Sequence, residues 1–194
     1  MATLQEIFEN TNYPPHLAAL FDTETLMPLG PGKPAKQKEP TLESASVAAL
    51  FAPHQVVDQV AARACISGLW LFHNFIDRSH LICQSIDTRE GSYWHAMVHR
   101  REPDFWNSKY WFNRVGQHAI YNELCQGAAE LAADTSSEAA ALLRRQRSWE
   151  AAAFVDLCES SYHTGSADEQ LCQRVQRLEW HLLFAHCFRM AIAS

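Results

Sequence analysis

The sequence predicts an all-α fold: a single helical-bundle-like domain of six to eight helices, with αα-hairpins and a Pro-rich N-terminal extension. Three observations carry that reading. From about residue 41 onward, apolar residues recur at three- and four-residue spacing, the period of a helix with a buried face. Strict alternation of apolar and polar residues, the mark of a half-buried strand, is almost absent. Short capping sequences precede several of the periodic stretches.

Taken in order, Leu4, Ile7 and Phe8 share one face of a short helix, and Pro14-Pro15 interrupts it. Residues 27–40, rich in Pro, Gly and Lys, suit neither helix nor strand and read as an extended surface segment. Residues 1–43 are therefore taken as an extension and 44–194 as the all-α domain. Thr41 or Ser44 would cap a helix ending near Ala52-Pro53. A long helical stretch follows from Gln55 to Ser85, with Gly68 as the expected break. Asp87-Thr-Arg-Glu90 fits a capping box, Asp87 at N-cap and Glu90 at N3, opening a helix to about Arg101. Pro103-Asp104 starts the next, to Val115. Another spans Ala119 to Ala133, and Asp134 to Glu138 would open a long helix reaching Ser160. Ser166-Ala-Asp-Glu169 caps the last, which runs to Ala191.

Composition narrows the function classes. The 194 residues are 47% hydrophobic and 20% charged, ordinary for one globular domain. A net charge of −6 argues against a broad nucleic-acid-binding face. Six scattered cysteines without a CxxC pair read as reduced, structural thiols. The first residues lack the basic and apolar regions of a signal peptide, and no apolar run reaches membrane-spanning length. A soluble, cytoplasmic protein is expected. No GxSxG, P-loop or GxGxxG motif is present, so a Gly-rich phosphate cradle is not expected.

Chemistry concentrates between residues 69 and 112, which hold four of the ten histidines and four of the six tryptophans. His73, Asp77 and His80 fall at i, i+4 and i+7 on one helix. His95 and His99 form an i, i+4 pair on the next, with Glu102 three residues further along that face. Facing helices that direct imidazoles and carboxylates at one another are how bundles hold Zn, Fe or Mn. The same residues could instead form a hydrogen-bonded network without metal, since neither HExxH nor a repeated ExxH is present. Around the following turn, Arg100, Arg101 and Lys109 could bind a small anion, or pair with Glu102 and Asp104.

Residues 103–115, Pro-Asp-Phe-Trp-Asn-Ser-Lys-Tyr-Trp-Phe-Asn-Arg-Val, resemble the turn and second helix of a tetratricopeptide repeat. Ala96, Ser108 and Val115 match its small positions and Phe112 its aromatic one. Pro103 stands where the repeat carries a turn glycine, Ser92 where it carries Trp, and no second copy lies about 34 residues to either side. The resemblance implies a tight αα-hairpin at about 92–116 with His95 and His99 facing inward, and no peptide-binding role. More broadly, Tyr93–Asp104 with Lys109–Phe112 resembles a segment of an uncharacterised all-helical protein family; that implies a recurring architecture and no activity.

Two functional readings follow. In the first, His73, Asp77, His80, His95, His99 and Glu102 form a metal or ligand site, with metal-assisted hydrolysis or oxygen chemistry as the reaction classes and Arg100 or Arg101 orienting an anion. In the second, the chain is a non-enzymatic helical interaction module with a protein partner, and the polar cluster only fixes the hairpin.

Overall fold

The computed structural model describes residues 3–192, which form twelve α-helices and no strand. These are α1 (Leu4–Thr11), α2 (Pro15–Ala18), α3 (Glu39–Ser44), α4 (Val47–Phe51), α5 (Gln59–Phe72), α6 (Ile76–Cys83), α7 (Arg89–Arg101), α8 (Phe105–Val115), α9 (Tyr121–Leu131), α10 (Glu138–Arg145), α11 (Ala151–Ser161) and α12 (Ala167–Ile192). Nine of the twelve run eight residues or more; α2, α3 and α4 are shorter. Among the described residues no helix is long and apolar enough to cross a membrane.

A helix that buries residues on every side must lie inside the protein, and α12 does so. Its 26 residues form the central rod, against which α1, α5, α9, α10 and α11 pack. A second layer follows from α7, which packs on α5, α6 and α8. α7 and α8 make a hairpin in which Ser108 Oγ donates to Ala96 O at 2.8 Å, a close approach that two small residues allow. Six cysteines, all buried and free, sit in this interior as small apolar groups.

Local boundaries differ from the sequence reading where tertiary contacts intervene. The expected 55–85 helix is two helices, and the break lies at residues 73–75 rather than Gly68. Asn74 takes a left-handed φ of 64° there and donates to Lys33 O at 3.0 Å. Gly68 instead makes room: a Cβ on it would stand 2.8 Å from the Trp94 indole. The expected 134–160 helix breaks at residues 146–150, where Trp149 turns into the core against Phe154. Thr88, not Asp87, caps α7, its Oγ accepting from Gly91 N at 3.1 Å. Thr41 and Ser44 cap nothing; α3 begins at Glu39, and Ser46 caps α4. Asp104 and Ser166 do cap α8 and α12, accepting from Asn107 N and Glu169 N.

Residues 3–43 share the same core through Ile7, Tyr13, Leu17, Phe21, Met27 and Leu29. The Pro-rich stretch crosses the body as a strap held by its carbonyls. Gln176 Nε2 donates to Met27 O (3.2 Å) and Pro28 O (3.0 Å). Arg101 donates to Gly30 O (2.7 Å), Pro31 O (3.1 Å) and Asn74 Oδ1 (2.6 Å). The guanidinium is fully buried, and its partners among the described residues are neutral oxygens. Burial, and then the charge of Arg100, push it down to about 9.

Buried His181 ties α12 to residue 22 through Asp22 O at 3.1 Å, and burial pushes its imidazolium down to about 4. Unfolded histidine titrates near 6.5, so over this range the unfolded chain takes up the proton first. The stabilising contribution is therefore complete above about pH 6.5 and is lost as pH falls to about 4, on the order of 3 kcal/mol in total. His181→Gln is expected to flatten the pH dependence of urea-unfolding free energy across that window. An unchanged slope would show that His181 is not buried in the neutral form.

Candidate metal centre

The break at residues 73–75 sets α6 against α7 and brings four polar side chains together. His80 comes from the last turn of α6, His95 and His99 from one face of α7, and Glu102 from the α7 C-cap. His95 Nε2 lies 2.9 Å from His80 Nε2 and 3.1 Å from His99 Nε2. Each of these nitrogens holds one proton or one lone pair in its ring plane. His95 Nε2 therefore cannot satisfy both neighbours by hydrogen bonding, whereas a cation at the shared point accepts all three lone pairs. Nitrogens about 2.0–2.1 Å from a tetrahedral zinc stand about 3.3 Å apart, a few tenths of an ångström more than the two separations from His95 Nε2.

Two of the three opposite ring edges face a carboxylate, while His95 Nδ1 is buried without a partner. Glu102 Oε1 lies 2.8 Å from His80 Nδ1, and Glu102 Oε2 lies 3.3 Å from His99 Nδ1. Asp104 Oδ2 is 3.5 Å from the same His99 atom. Glu102 accepts from His80 Nδ1–H and so fixes the tautomer that leaves His80 Nε2 free to ligate, whereas His99 Nδ1 faces the carboxylates without a hydrogen bond. Burial raises the Glu102 carboxyl, but the neighbouring His99 and His80 imidazoles outweigh it and hold the group below its ordinary value. Burial, then the neighbouring His99 and His80, push His95 down to about 4, keeping it neutral. The Trp111 ring covers His95 at a 4.0 Å centroid separation. The side chains of His80 and Glu102 remain 27% and 28% exposed against 10% for His99, so the cluster opens on the His80–Glu102 side.

The other residues singled out in the sequence stand apart. His73 ends α5 and its Nε2 lies 2.7 Å from Leu20 O, holding the N-terminal segment. Asp77 is exposed in the first turn of α6 and does not meet His80. The i, i+4, i+7 stripe presumed one helix, and the break after Phe72 removes it. Arg100, Arg101 and Lys109 do not assemble an anion pocket. Fully buried Arg100 pairs with Glu179, Arg101 holds the strap, and Lys109 meets Asp156 at the surface at 2.6 Å. His95 and His99 turn only partly into the α7–α8 hairpin: the His95 ring lies on Trp111 of α8, but its Nε2 meets His80 of α6 and His99 Nε2.

A second polar group, not foreseen from the sequence, joins Glu90 of α7, His118 just before α9 and His186 of α12. The two imidazoles, His118 first, hold the Glu90 carboxyl well below the usual carboxylate range. The only local sign of it is an acidic residue whose capping role Thr88 had already filled.

Comparison with family models, curated proteins and solved structures finds no match for this chain.

Proposed function

We propose that the chain binds one divalent transition-metal ion, Zn, Fe or Mn, through the Nε2 atoms of His80, His95 and His99, with Glu102 as the carboxylate behind the ligands. The observation that carries this reading is the convergence of three Nε2 atoms that hydrogen bonding alone cannot satisfy. Three neutral ligands leave the ion its full charge, and the opening beside His80 and Glu102 leaves a position for water or substrate. Such an ion lowers the pKa of bound water and polarises a carbonyl or phosphoryl oxygen, which makes metal-assisted hydrolysis the reaction class to assay.

Protein produced without a metal-affinity tag is expected to compete with a chromophoric chelator for Zn(II). His95→Ala and His99→Ala should each weaken that site at least about 100-fold, and Glu102→Gln about 10–100-fold. His73→Ala and Asp77→Asn should leave it intact. Equal affinity across all five variants, or no metal uptake by the wild type, would sink the reading.

One observation favours a protein-binding surface as a second reading. Trp106 and Tyr110 are 74% and 46% exposed and stack on one face of α8, with ring centroids 6.2 Å apart. Trp106→Ala with Tyr110→Ala should then abolish recovery of a binding partner while leaving metal affinity unchanged. An unaltered partner profile would remove this reading.

A further inference from the structure

We infer that Glu90, His118 and His186 form a second site for a divalent first-row transition-metal ion, separate from the His80 centre and independent of the function proposed for it. Three chain segments far apart in sequence bring these groups together: the first turn of α7, the residues before α9, and the C-terminal half of α12. One carboxylate and two imidazoles are the donor set that suits Fe(II), Mn(II) or Zn(II).

The separations distinguish a ligand set from a hydrogen-bonded cluster. His118 Nε2 lies 3.8 Å from Glu90 Oε1 and His186 Nε2 lies 3.5 Å from the same oxygen. Hydrogen bonds between these groups would close to about 2.7–3.2 Å. Donor atoms about 2.0–2.2 Å from a tetrahedral ion stand about 3.3–3.6 Å apart, close to what is seen. His118 adds a second observation. Its side chain is 2% exposed, yet Nε2 has no hydrogen-bond partner among the described residues and is aimed into the group. A buried polar atom without a partner is costly, and a cation would supply one.

Ligation needs the His118 lone pair at Nε2, so its proton must sit on Nδ1. That displaces a contact from Ile120 N–H, which at 3.4 Å is too long to contribute much. The two centres cannot share a bridging ligand. At about 3.6 residues per turn, Glu90 stands about 140° around α7 from His95 and about 180° from His99. The helix lies between them, so these are two mononuclear sites, not the pair about 3.5–4 Å apart of a dinuclear centre.

The test is Zn(II) and Co(II) stoichiometry on the tag-free full chain, by elemental analysis after removal of loosely bound ion. The wild type should hold two equivalents. His99→Ala should keep one, His186→Gln should keep one, and the double variant none. Because His118→Gln can perturb the core, partly exposed His186 and the isosteric Glu90→Gln carry the test, with thermal unfolding confirming that each variant is folded. If Glu90→Gln and His186→Gln retain the wild-type stoichiometry, or His99→Ala holds no metal, the second site does not exist. A single equivalent lost in His186→Gln but kept in His99→Ala would support this site and remove the His80 centre.

Discussion

Glu179→Ala is expected to cost about 3–5 kcal/mol of folding stability, because it leaves the Arg100 guanidinium charged, buried and unpaired. Both side chains of the pair are 0% exposed. The Glu179 carboxylate also accepts from Tyr93 OH at 3.0 Å, so its loss orphans a buried phenol as well. The remaining contacts of Arg100 cannot replace the countercharge: Nε reaches neutral Gln176 Oε1 at 3.2 Å, and the Phe154 ring lies 4.9 Å from the guanidinium carbon. Set against a typical domain stability of about 5–15 kcal/mol, the loss is large enough to populate unfolded chain at ordinary temperature. Removing both charges is a different case. Arg100→Met with Glu179→Leu should recover most of the loss, since desolvating the pair offsets much of its attraction. Urea titrations of the wild type, the single and the double variant measure this directly. A single variant within 1 kcal/mol of the wild type would contradict the burial of the pair.

Arg101→Ala is expected to cost roughly 2–4 kcal/mol, from the oxygens it leaves unpaired and the cavity it opens, and its first consequence should be local. The substitution strands the carbonyls of Gly30 and Pro31 and the side-chain oxygen of Asn74, and empties the volume of a large buried side chain. Arg101→Lys should rescue little. A planar guanidinium reaches oxygens on the strap and on the α5–α6 break at once, whereas an ammonium is a single point with three donors. Release of the strap exposes the backbone beside Lys36 and Lys38, so tryptic cleavage there should accelerate at least about tenfold in both variants, with α12 still protected from hydrogen exchange. Cleavage at the wild-type rate would mean that Arg101 does not hold the strap.

Local features of the chain were readable in advance, and features set by distant partners were not. Helical periodicity and the caps at Asp104 and Ser166 need only near neighbours, so the all-α architecture and those helix starts follow from the sequence. The shared face of His95 and His99 is equally local, and the short connection to α6 brings His80 within reach of it. The break at Asn74 is different, because its bonds to Lys33 and Arg101 come from elsewhere in the chain; hence the stripe assigned to His73, Asp77 and His80 does not exist. Glu90 reads as a capping residue until His118 and His186, 28 and 96 positions further along, are seen beside it. The paired arginines read as an anion site, or as partners of Glu102 and Asp104, because Glu179 and the strap carbonyls are far away in sequence. One signal pointed to them: Gln176 and Glu179 lie at i, i+3 beside Val175, Leu178 and Trp180, and a buried acid needs a buried base.

The strap also sets an order of events for the newborn chain. Met27, Asp22 and Thr11 are synthesised early, but their partners Gln176, His181 and Arg189 lie 149, 159 and 178 residues downstream. Each of these closures carries the entropy of a loop spanning most of the molecule, and such high contact order slows folding. Until α12 emerges, Leu17, Phe21, Met27 and Leu29 have no finished core to enter, and the apolar N-terminal segment stays exposed to solvent and to other chains. This fold therefore cannot be completed from its N-terminus outward; its first residues are among the last to find their places.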